Sequence, residues 1–201
     1  MIGAFAEAIR ATTQPCTLLL VLPPLVATIL TRGRWIPLGA SLVAAVLGGW
    51  LYAANVFALN AAQLQASGVI VAGVLMVTAG APHVERLRWC STSSAEAALS
   101  ASITFAATLW WRPCVGSQLG ALLTDASRSV PSALPGMTAY MLGAMAPVVL
   151  AALLIRAVEP GPGASVWMVR GAGVVGLVVA GSMAMGTHDQ LVSTLTRWTL
   201  S

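Results

Sequence analysis

The chain has 201 residues, of which 58% are hydrophobic and only 8% charged, with a mean hydropathy of +0.86. An ordinary soluble domain carries about a quarter charged residues. The composition excludes a large soluble domain and predicts an all-α integral membrane protein: at roughly 20 apolar residues per crossing, this length holds about six spans with short loops. All ten basic residues are arginine, giving a formal charge of +4 and a pI near 9.6. They are spread singly through short loops, without the clustered basic face that nucleic acid binding requires, so they read as topology signals beside a bilayer.

In chain order, residues 3–31 form the first predicted span. Its apolar run is interrupted by Pro23 and Pro24 and followed by Arg32 and Arg34 where a cleavage site would fall, so it reads as a retained span rather than a secretory signal. It is too long for one plain crossing, and Pro15 is the expected break. After the loop TRGRWIP comes a second span at 38–59, with Gly48 and Gly49 suited to close helix packing. Asn55, Asn60, Gln63 and Gln65 mark its polar exit. A short third span at 67–81 ends at Pro82 and completes a first three-helix repeat, 3–82. The charged stretch HVERLRWCSTSSAE includes a predicted cytoplasmic loop at 83–95.

The second repeat is expected at 96–186. Its first span, 96–126, is again overlong and holds Arg112-Pro113-Cys114 near its middle. A Gly/Ser/Pro loop at 127–136, a fifth span at 137–155, the turn RAVEPGPGA and a sixth span at 166–186 follow, with a polar tail at 187–201. Loops one–two, three–four and five–six hold Arg32, Arg34, Arg86, Arg88, Arg156 and Arg170, against Arg128 and Arg197 on the other side. Positive charge stays in the cytoplasm, so both termini are expected outside a bacterial or archaeal plasma membrane. The first and fourth spans then run oppositely, and the two halves form a 3+3 inverted repeat within a single transmembrane domain.

The sharpest signal is a dipeptide used twice: QPCTLLL at 14–20 and RPCVGSQLG at 112–120. With three cysteines and eleven prolines in the chain, chance supplies well under one such pair. The approaches also match, FAEAIRATTQPC against FAATLWWRPC. A proline within a helix removes a donor and breaks the helix, here at Pro15 and Pro113. Cys16 and Cys114 then fall in the first turn of a new half-helix, where free N–H groups and the helix dipole favour thiolate, the species that attacks disulfides. Arg112 adds a positive charge for tuning Cys114. Cys90 has no proline before it and reads as a bystander.

These stretches resemble the CcdA/DsbD-type family of cytochrome c biogenesis transmembrane proteins. RPCVGSQLGALLTDA is similar to that family's second motif, and QPCTLLLVLPPLVATIL less closely to its first. The resemblance implies a Cys16–Cys114 dithiol/disulfide as the redox pair of a membrane thiol–disulfide oxidoreductase. It would be reduced by a cytoplasmic thioredoxin and would reduce an extracytoplasmic thioredoxin-like acceptor. The chain has no Cys-x-x-Cys of its own, so both partners are separate polypeptides. The family's second proline, three residues after each cysteine, is replaced by Leu19 and Ser117. Pro23 and Pro24 are the substitute helix break in the first half, and Gly116 and Gly120 loosen the second.

Other signals read structurally. Gly171, Gly173 and Gly176 match GxGxxG but lie in an apolar span and follow no strand, which favours helix packing over phosphate binding. His83 and His188 have no ligand spacing, so no metal and no cofactor is expected. Glu7 and Glu96 are expected to complement helix N-termini. Trp35, Trp89, Trp167 and Trp198 read as interface anchors, and Trp110 and Trp111 as shields for Cys114. The alternative function is secondary transport of a small solute or metal ion on the same frame, with Arg112 and Asn55 as its polar groups. A non-catalytic subunit of a membrane assembly is a third reading.

Overall fold

A computed structural model of the chain describes residues 2–12, 15–54, 61–80, 93–111, 117–158 and 162–187, with 190, 193–194 and 197 of the tail. Among them every regular element is a helix: α1 Ile2–Ala11, α2 Pro15–Leu30, α3 Trp35–Ala53, α4 Ala61–Gly80, α5 Ser93–Trp110, α6 Ser117–Arg128, α7 Val130–Ala144, α8 Ala146–Val158 and α9 Pro162–Ala184.

The helix ends follow local chemistry. α2 opens on Pro15, where the missing N–H costs nothing because first-turn donors have no helical acceptor. At its other end Arg32 and Gly33 take positive φ angles of 52° and 64°. Gly33 N–H then reaches the Thr28 carbonyl and Arg32 N–H that of Ile29, closing a Schellman turn. Gly186, at φ 70°, closes α9 in the same way, with Thr187 N–H on the Ser182 carbonyl.

Three expectations are corrected here. Residues 127–136 are largely helical, not a loop: Arg128 ends α6, Ser129 is the N-cap of α7, and Pro131 sits in the first turn, where proline is tolerated. Pro23 and Pro24 do not divide α2, which continues through them to Leu30. The fifth span is bent instead, by 40° between α7 and α8. Arg170 lies within α9 rather than in a loop.

The helices alternate in direction. Arg34 Nη1 meets Glu96 Oε1 at 2.7 Å, and the Arg156 guanidinium lies 4.9 Å from the centre of the Trp35 ring. The start of α3, the start of α5 and the end of α8 therefore share one end of the molecule. At the other end a Cβ on Gly68 of α4 would meet Ala184 of α9 at 2.7 Å. The closest packing joins α3 to α5, α4 to α9, α1 to α7, α2 to α5 and α3 to α7.

Small residues set these approaches. Gly48 of α3 lies against the Thr108 side chain of α5, Gly49 against Met141 of α7, and Gly143 of α7 against the Phe5 carbonyl of α1. The expected packing role of Gly48 and Gly49 is what the structure contains. Large apolar side chains point outward instead, including Val43 and Leu47 on α3, Leu150 and Leu154 on α8, and Val174 and Val178 on α9. Among the described residues α3 alone is long and apolar enough to cross a bilayer, and the bent pair α7–α8 is a second such unit.

A methyl group at Gly143 would stand 2.6 Å from backbone oxygen, whereas one at Gly49 meets only the Met141 side chain, which can change rotamer. Gly143→Ala is expected to cost about 1–3 kcal/mol and Gly49→Ala clearly less. Thermal unfolding of the two purified variants checks the order.

Candidate functional site

Of the residues singled out from sequence, Pro15 and Cys16 are the first two residues of α2, which gives Cys16 the first-turn backbone position expected for it. Pro23 and Pro24 are buried farther along the same helix. Arg112, Pro113, Cys114 and Gly116 fall between the end of α5 and the start of α6, outside the described residues, as do Cys90, Asn55, His83 and His188. Among the described residues no three potential metal ligands come together.

The flanks of the two breaks do come together. Ala4 and Ala8 before the first break, Leu20 and Val21 after it, Ala107 and Trp111 before the second and Leu119 after it all belong to one buried cluster, completed largely by α7. Tyr140 of α7 belongs to it and is 2% exposed. Thr17, next in sequence to Cys16, is buried as well, at 3% exposure. The Tyr140 ring stacks on Trp111, with centroids 6.0 Å apart and planes at 30°. Tyr52 of α3 covers Trp111 at 5.3 Å. Glu7 is not a helix N-terminal residue: it is the sixth residue of α1, past the first turn. Glu96 is in the first turn of α5, as expected, and pairs with Arg34 as well.

The two adjacent tryptophans part company. Trp111 enters the cluster around Tyr140, whereas Trp110 enters a second one with Val26 and Ala27 of α2, Ile103 of α5, and Val179 and Ala180 of α9. Trp110 Nε1 donates to Ser67 Oγ of α4 at 2.7 Å. Trp111 Nε1 is buried with no hydrogen-bond partner. α2 and α5 each contribute to both clusters, so the two broken helices form the middle of the bundle.

Sequence reasoning missed Tyr140, Tyr52 and Thr17. The available signal was scarcity: the chain has only two tyrosines, and both contact Trp111. Of the GxGxxG glycines, Gly173 and Gly176 are buried in the inward face of α9, the packing role expected of them. Trp35 is exposed at the start of α3, and Trp167 is exposed as the sixth residue of α9. No protein-family model matches the chain, no curated protein matches its sequence, and no solved structure matches its fold.

Trp110→Phe removes a bonded N–H and is expected to cost about 1 kcal/mol more than the loss of ring volume alone. Trp111→Phe deletes a donor that has no acceptor, so its thermal midpoint is expected to fall less. Unfolding curves of the two variants provide the comparison.

Proposed function

We propose that the chain is a membrane thiol–disulfide oxidoreductase in which Cys16 and Cys114 alternate between dithiol and disulfide. The observation that carries the reading is that residues flanking both Pro-Cys breaks, Leu20 and Val21 after the first and Trp111 and Leu119 around the second, enter one buried cluster with Tyr140. A carrier needs its two thiols at one place, and the flanking helices share one core there.

The frame is six membrane spans: α1–α2, α3, α4, α5–α6, α7–α8 and α9. Its inverted-repeat character is supported by how the helices pair. α1 packs on α7 as α5 packs on α3, α2 on α5 as α6 on α1, while α3–α7 and α4–α9 each pair one half with the other. An inward face of small and hydroxyl-bearing residues with Leu and Val outward suits a bilayer, where lipid tails take the place of water. The end that gathers Arg32, Arg34 and Arg156 is the cytoplasmic one, with both termini at the opposite face of a bacterial or archaeal plasma membrane.

In the reaction, a cytoplasmic thioredoxin dithiol attacks the Cys16–Cys114 disulfide through a mixed disulfide and leaves as its own disulfide. The chain thereby gains two electrons and two protons. One of its thiolates then attacks the disulfide of an extracytoplasmic thioredoxin-like acceptor, such as one serving cytochrome c maturation, and the second resolves the mixed disulfide. Serving both faces from one pair requires the halves to expose it alternately. Helix-dipole stabilisation at the start of α2 favours the Cys16 thiolate.

Secondary transport is the second reading. The register set by Arg34–Glu96 and Gly48–Thr108 brings Ser41 of α3 level with Ser100 and Thr104 of α5, and all three hydroxyls are buried without partners. Mass-tag alkylation decides between the two. Wild type is expected to show an oxidised band that disappears in both Cys16→Ser and Cys114→Ser, together with loss of reducing transfer. A carrier of solutes would retain function in both cysteine variants and lose it in Ser41→Ala or Thr104→Val.

A further inference from the structure

Among the described residues four polar side-chain atoms are buried without a hydrogen-bond partner: Ser41 Oγ, Ser100 Oγ, Thr104 Oγ1 and Trp111 Nε1. All four belong to the seam between α3 and α5, the most extensive helix contact of the bundle. The seam can be followed in register from one end. Arg34 Nη1, at the N-cap of α3, holds both carboxylate oxygens of Glu96 in the first turn of α5, at 2.7 and 2.8 Å. Ser41 follows seven residues later and Gly48 seven beyond that, about two turns each, so they keep one face of α3. On α5, Ser100, Thr104 and Thr108 recur at intervals of four, again on one face. Gly48 lies against Thr108, whose own hydroxyl is satisfied by the Phe105 carbonyl at 2.7 Å. Between that contact and the ion pair, Ser41 stands level with Ser100 and Thr104. Beyond it Tyr52 packs on the Trp111 ring.

We infer that the α3–α5 seam is the route by which water enters the middle of the bundle from the Arg34–Glu96 end, with that ion pair as its latch. The inference rests on the membrane frame proposed above and not on the thiol pair. A bilayer interior offers a buried hydroxyl no solvent, so three of them at one level without protein partners are penalised unless water reaches them. A buried water binds about three otherwise unsatisfied polar groups, the number that Ser41, Ser100 and Thr104 supply. The opposite face of α3 is of another kind, with Val43 and Leu47 exposed. α3 belongs to the first half of the chain and α5 to the second, so the same seam is a surface along which the halves part in alternating exposure. Gly48 against Thr108 is its tight point, where the missing side chain leaves the only room. Water delivered there brings protons to the centre of the molecule, which dithiol formation consumes.

The test places a thiol at each seam position of the full chain, Ser41→Cys, Ser100→Cys and Thr104→Cys, with Val43→Cys and Leu47→Cys on the outward face of α3 as the comparison. In phospholipid nanodiscs each is exposed to a small charged methanethiosulfonate, and peptide mass mapping follows the introduced thiol apart from the native cysteines. Because the thiolate reacts, and forms in water rather than in hydrocarbon, the seam thiols are expected to react at least about tenfold faster than the outward ones. Glu96→Gln, added to Ser100→Cys, is expected to raise its rate about threefold, the worth of a part-exposed ion pair. Thr104→Val keeps the volume and removes the hydroxyl, and its thermal midpoint is expected to fall because a bond to water is lost. If all five thiols react equally slowly, or the midpoint of Thr104→Val rises as it would for a dry hydroxyl, the water route is overturned and the membrane frame stands. Rapid reaction of Val43→Cys and Leu47→Cys overturns the membrane frame, and the water route with it. An unchanged rate in Glu96→Gln overturns the latch.

Discussion

The contact on which the rest depends is the stacking of Tyr140 on Trp111 inside the cluster that the flanks of both breaks share. α2 and α5 both follow or precede a break, and a broken helix has no continuous backbone to set its depth. Something outside it must. α7 performs that task because Gly143 lets α1 lie against its backbone while Met141 fills the space left by Gly49 of α3. The aromatic pair then spans what the small residues leave open, so glycine placement and ring placement are parts of one arrangement.

Polarity in this bundle is distributed in a way that water would penalise. Ser41, Ser100 and Thr104 are fully buried, whereas Val69 and Ile70 of α4, Leu150 and Leu154 of α8, and Val174 of α9 are turned outward. In water the exposed apolar area would cost about 25 cal/mol per Å²; against lipid tails it costs little. Thr28, Thr31, Thr108 and Ser182 are satisfied by nearby backbone carbonyls, as where Thr28 Oγ1 donates to the Pro24 carbonyl and Ser182 Oγ to that of Val179, whereas Ser41, Ser100 and Thr104 are left without a partner. Gly48, lacking a side chain, is what lets Thr108 approach so tightly between α3 and α5.

Several elements were legible because the signals are local. The break before Pro15, the interruption between α5 and α6, the packing role of Gly48 and Gly49, and the helix ends near Gly33 and Gly186 all follow from backbone chemistry of residues close in sequence. The segment 127–136 misled for an equally local reason: proline and serine favour both loops and helix starts, and only the neighbouring α6 decides which. Glu7 misled because an acidic residue near a predicted span start has a ready helix-dipole explanation, whereas the helix begins at Ile2 and leaves Glu7 past its first turn.

From the sequence alone came the helical class, the apolar composition suited to lipid and the two Pro-Cys breaks, since these depend on residue type and on spacing of a few positions. Only the tertiary structure decided that the flanks of both breaks share a single core, that adjacent Trp110 and Trp111 serve different clusters, and that the two tyrosines of the chain close on the same indole. The physical reason is that each of these facts is a long-range packing choice. Periodicity tells which face of a helix turns inward, but the identity of the facing side chain is set by how closely small residues let other helices approach.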